Sequence, residues 1–142
     1  MGAPAQRNHV LLIHDTPAIL DHLCEVLKAA GHQVTGTGAT LDLPRLRALA
    51  PALIVQDLPG GDQAAAGWDF LTLVQLAPDL ARIPLILCTA IAETVDSPAV
   101  AANLDRRGIR VLLKPFTGEE LLTAIGELLT AQALLDQVRL KQ

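Results

Sequence analysis

Four short aliphatic runs constrain this chain more than any other feature: Val10-Leu11-Leu12-Ile13, Leu53-Ile54-Val55, Pro84-Leu85-Ile86-Leu87-Cys88 and Val111-Leu112-Leu113. Each is too short for a helix and too continuously apolar for a strand with one wet face. Each therefore predicts a strand buried on both sides. Between them the spacing turns helical. Ile19, Leu20, Leu23, Val26, Leu27 and Ala30 share one face, with Thr16 placed to cap the helix, Pro17 at its first position and Gly31 to end it. Gln33 to Thr37 reads as a half-polar strand that belongs at a sheet edge. Further helices are predicted over 41–49, 68–76 and 95–107, with a Gly- and Ala-rich loop over 59–67. Thr117 and Glu120 form a capping box for a last helix that can run to about Leu140. Five β-α units in sequence imply an α/β fold, a doubly wound parallel sheet with helices on both faces.

Composition narrows the function. The chain has 142 residues, so one domain is expected. Hydrophobic residues make up 51% and charged residues 18%, which excludes a disordered chain. Aromatics are only 2% (Trp68, Phe70 and Phe116), so a stacking platform for single-stranded nucleic acid is not expected. A net charge of −4 gives no basic field for nucleic acid or anionic lipid. Cys24 and Cys88 sit in apolar stretches, far apart, and read as small buried hydrophobes in a reducing compartment. No apolar run reaches membrane-spanning length and no signal peptide is visible, so a cytoplasmic protein is expected.

In an open parallel sheet the working crevice lies beyond the carboxyl ends of the strands. Strand one ends in His14-Asp15, strand three in Gln56-Asp57, strand four in Thr89-Ala90 and strand five in Lys114-Pro115-Phe116. Two carboxylates, a hydroxyl and an ammonium thus converge on one edge. That set suits phosphoryl transfer onto a carboxylate. Donor and acceptor are both anionic, so cations must intervene. Mg²⁺ takes hard oxygen ligands and binds through one or two carboxylates plus phosphate oxygens. The remaining phosphoryl oxygens can be met by Lys114 and Thr89.

Four segments resemble the signature stretches of bacterial response-regulator receiver domains: VLLIHDTP from Val10, PALIVQDL from Pro51, IPLILCTA from Ile83 and VLLKPF from Val111. The resemblance covers about residues 9–130, leaving 1–8 as a flexible N-terminus and 131–142 as an extension of the last helix. It implies a flavodoxin-like five-stranded sheet of order 2-1-3-4-5 with five helices. It also implies that Asp57 is the phospho-acceptor, Asp15 a Mg²⁺ ligand, Thr89 the switch hydroxyl and Lys114 the phosphate-pairing lysine. One further metal ligand would be the backbone carbonyl of Pro59.

The sequence departs from the family at three points. His14 stands where the first of two adjacent acids is usual, a place that often acts through a metal-bound water. The pocket loses a formal negative charge, and imidazole suits Zn²⁺, Ni²⁺ or Cu²⁺ better than Mg²⁺, so weaker Mg²⁺ binding is expected. Val111 replaces the switch aromatic three residues before the lysine. Gly61 replaces the usual proline four residues after Asp57.

The expectation is a stand-alone receiver domain of a two-component or phosphorelay pathway, not an enzyme in its own right. A histidine kinase or phosphotransfer protein would supply the phosphoryl group. Output would run by protein contact through the face of the fourth helix, fifth strand and fifth helix. The tail from Ala131 to Leu140 is a candidate dimer seam or partner helix. The alternative is a receiver-like interaction module that phosphate does not switch. A flavin carrier on the same fold is disfavoured, because Asp15 would repel an FMN phosphate and Pro17 removes a backbone donor.

Overall fold

A computed structural model describes residues 9–58, 64–89 and 109–140. The predicted helix over 95–107, the N-terminal 1–8, and Pro59 and Gly61 lie outside the described residues. Among the described residues there are five strands: β1 (His9–Ile13), β2 (Gln33–Thr37), β3 (Leu53–Leu58), β4 (Leu85–Thr89) and β5 (Ile109–Leu113). They form one parallel sheet in the order β2-β1-β3-β4-β5. Four helices are described: α1 (Pro17–Ala29), α2 (Leu43–Leu49), α3 (Ala64–Leu76) and α4 (Gly118–Leu140).

Strand periodicity divides the aliphatic residues between two cores. Leu11, Ile13, Ile54, Leu85 and Leu87 face one side, where Leu46 of α2 and Phe70, Leu71 and Val74 of α3 cover them. Val10, Leu12, Leu53, Val55, Ile86 and Cys88 face the other, under Leu23 and Leu27 of α1 and Leu121, Ala124 and Ile125 of α4. Both faces of the three central strands are therefore buried, which is why those runs carry no polar alternation. β2 has one neighbour, β1, and its half-polar sequence fits that edge.

The ends of the helices follow local chemistry. α1 closes in a Schellman motif: Gly31 has φ +98°, its N–H donates to the Lys28 carbonyl at 3.0 Å, and the His32 N–H donates to Leu27 at 3.1 Å. Thr16 occupies the N-cap of α1, yet its side chain makes no capping bond to the helix; the hydroxyl turns to Asp15 Oδ1 at 3.4 Å. α2 begins at Leu43 rather than 41, because the Asp42 carboxylate caps it by accepting from the Arg45 N–H at 2.9 Å. α3 begins at Ala64, within the stretch expected to be loop; three successive alanines, the best helix formers, outweigh Gly67 there. The capping box of α4 forms as expected, with the Glu120 N–H donating to Thr117 Oγ1 at 3.1 Å and the Thr117 N–H to Glu120 Oε1 at 3.3 Å. No described helix is long and apolar enough to cross a membrane.

Candidate functional site

The central strands β1 and β3 lie side by side, with Ile13 in register with Gln56. The residues that follow, His14-Asp15 and Asp57, therefore emerge together at the carboxyl edge of the sheet. His14 is held as one more rung of that edge, because its backbone N–H donates to the Thr37 carbonyl at 3.0 Å. On the other side β4 pairs with β3, Asp57 opposite Cys88. β5 pairs with β4, and the Lys114 N–H donates to the Thr89 carbonyl at 2.9 Å. That bond brings the lysine back over the edge just past the end of β5. The Lys114–Pro115 peptide is cis.

Four of the expected residues meet. The Lys114 ammonium forms an ion pair with Asp57 Oδ1. His14 Nε2 lies 3.6 Å from the same oxygen, and His14 Nδ1 lies 3.6 Å from Asp15 Oδ1. Asp57 and His14 are buried, whereas the Asp15 side chain is 49% exposed. Asp57 Oδ1 is enclosed yet accepts no aligned hydrogen bond. A buried carboxylate oxygen in that state is costly unless cations surround it. Thr89 is fully buried and lies one register step beyond the Asp57–Cys88 pair, opposite Leu58. The Pro59 carbonyl lies outside the described residues.

One contact at this edge was not legible in the sequence. The Thr16 backbone N–H donates to His14 Nδ1 at 3.1 Å. Electrostatics also reach Cys88. Burial first, and the neighbouring Asp57 charge second, push its thiol up to about 12, and Lys114 opposes them only in part.

A ring nitrogen of His14 and a carboxylate oxygen from each of Asp15 and Asp57 all lie within 4.8 Å of one another. With the enclosed Asp57 oxygen, this arrangement fits a divalent cation between the two carboxylates. Chemically, the edge offers an enclosed acceptor carboxylate, a fixed ammonium beside it and a second carboxylate at the rim.

No protein-family model matches the chain, and no curated protein does. Solved structures do. A signal receiver domain from Vibrio parahaemolyticus superposes with a TM-score of 0.73 at 24% identity, over 93% of this chain and 97% of that one. A CheY-like response-regulator receiver domain protein from Methanospirillum hungatei JF-1 gives 0.69 at 23% identity, over 89% and 96%. The receiver domain of a signal transduction histidine kinase from Syntrophus aciditrophicus gives 0.67 at 24%, over 87% and 91%. The chain has the fold of response-regulator receiver domains, and the 2-1-3-4-5 order agrees.

Proposed function

We propose that this chain is a response-regulator receiver module whose Asp57 accepts a phosphoryl group from a histidine kinase or phosphotransfer protein. The observation that carries this reading is the enclosed Asp57 carboxylate paired with Lys114, with Asp15 at the rim. In the transfer, a carboxylate oxygen of Asp57 forms the new O–P bond as the donor's P–N bond breaks, and the electron pair returns to the donor's imidazole. Lys114 holds the acceptor and meets the charge that arrives. Asp15 and Asp57 would hold Mg²⁺, with the Pro59 carbonyl as a further ligand; the ion supplies charge neutralisation at the phosphoryl oxygens. Thr89, at the end of the adjacent strand, is the hydroxyl assigned to a further phosphoryl oxygen. Output then runs by protein contact along the face that includes β5 and α4, which Arg110 and Glu127 join by an ion pair at 3.3 Å.

Incubation with beryllofluoride or a small phosphodonor plus Mg²⁺ tests the reading by intact mass and ¹⁹F NMR. Modification of the wild type, lost in Asp57→Asn, is expected. No response at any Mg²⁺ level would support the second reading, an interaction module that phosphate does not switch. Val111 favours that second reading, because it is a short aliphatic side chain packed against the core where a swinging aromatic is usual.

A further inference from the structure

His14 combines the features of a ligand with those of a hydrogen-bond donor, and its surroundings choose between them. The ring is buried, and its backbone is fixed to β2. The Thr16 N–H donates to Nδ1 at 3.1 Å. A ring nitrogen that accepts a hydrogen bond carries no proton, so the proton of the neutral ring sits on Nε2. Asp15 Oδ1 is the competing partner of Nδ1, but at 3.6 Å it is beyond hydrogen-bond range, and water can reach its half-exposed carboxylate. Nε2–H then faces Asp57 Oδ1 at 3.6 Å. Neither nitrogen has a lone pair left for a metal. The Nδ1 pair belongs to Thr16, and the Nε2 site is protonated.

We propose that His14 Nε2–H is a phosphoryl-binding group, donating to an oxygen of the phosphoryl group on Asp57 and supplying, as a hydrogen bond, part of the stabilisation that a divalent cation would give. This rests on the phospho-acceptor reading above. The 3.6 Å gap is too long for a direct bond to the free carboxylate. Phosphorylation adds anionic oxygens around that carboxylate, and a donor bond to one of them is charge-assisted. Lys114 already meets Asp57 Oδ1 as an ion pair, and His14 Nε2 lies 3.6 Å from the same oxygen, so both stand beside the group that would be phosphorylated. The pocket would depend less on Mg²⁺ than one with an acid at position 14.

Two measurements test this. Long-range ¹H–¹⁵N NMR of the whole chain should show the His14 ring protonated at Nε2 when neutral. A ring protonated at Nδ1 overturns the proposal whatever Asp57 does. Beryllofluoride binding is then followed by ¹⁹F NMR with chelator and with saturating Mg²⁺, in wild type, His14→Gln and His14→Asp, with Asp57→Asn as the blank. The amide of His14→Gln can still donate from a similar reach, whereas His14→Asp cannot. Removing Mg²⁺ should weaken binding about tenfold less in wild type and His14→Gln than in His14→Asp. Equal Mg²⁺ dependence in wild type and His14→Asp, or binding by His14→Asp alone, overturns the proposal and leaves the phospho-acceptor chemistry standing. Failure of all three to bind at saturating Mg²⁺ sinks the phospho-acceptor reading, and this inference with it.

Discussion

Asp57 is buried at the end of β3, and Lys114 is its counterion. Removing the ammonium leaves a buried charge uncompensated. Lys114→Ala should therefore cost about 2 kcal/mol in urea unfolding, less than for a fully buried pair because the Lys114 side chain is 29% exposed. Adding Asp57→Asn in the same chain should recover most of that loss. The same enclosure governs the thiols. With Cys88 pushed up to about 12 and buried, it should resist alkylation at neutral pH until the protein unfolds, while the half-buried Cys24 reacts first. Peptide mapping after timed labelling checks the order. Linkage has a definite sign here: the folded thiol holds its proton above the ordinary value of 9.0, so stability should fall as pH rises from about 9 towards 12. Asp15, Asp57 and Lys114 could be located from sequence because each lies one or two residues past an aliphatic run that names its own strand. The Thr16–His14 contact could not, because its donor is a backbone N–H and any residue type but proline supplies one.

At the scale of elements, Gly36 explains how β2 and α1 come together. A Cβ there would lie 2.8 Å from Cys24 Sγ and 3.2 Å from Leu20 Cδ1. In the fold Gly36 is the gap into which α1 packs. Gly36→Ala should destabilise the protein by about 1–3 kcal/mol, measured by chemical unfolding, and Cys24→Ala in the same chain should relieve most of it. Element identity was legible from periodicity throughout the described residues. The starts of α2 and α3 were not, since Asp42 capping and the run of alanines act over two or three residues, where hydrophobic spacing has no resolution. Thr16 shows the converse: a good capping residue, correctly placed, whose hydroxyl serves Asp15 instead.

At the scale of the molecule, strand order and the His14, Asp15 and Asp57 cluster are one fact, since the order brings the ends of β1 and β3 together. An ion that binds only the folded state must stabilise it, by about 2.7 kcal/mol when its concentration is a hundred times Kd. Thermal unfolding against Mg²⁺ should show this for wild type, more weakly than for His14→Asp at equal Mg²⁺. Equal affinities in the two proteins would refute the expected cost of an imidazole at position 14. Beyond Leu129 no described side chain of α4 belongs to either core, and Leu134, Leu135 and Val138 are exposed. Ending the chain after Thr130 should therefore change unfolding stability by no more than about 1 kcal/mol.

Trp68 packs against one of the two aliphatic cores, and it is the chain's only indole in a sequence with no tyrosine. Light absorbed near the red edge of the protein band is thus emitted from a single place, the layer under α2 and α3. Far-ultraviolet circular dichroism, by contrast, averages over helices on both sides of the sheet. If both signals disappear along one denaturation curve, the sheet couples its two sides as one cooperative unit. If they separate, the side without the indole has a melting point of its own.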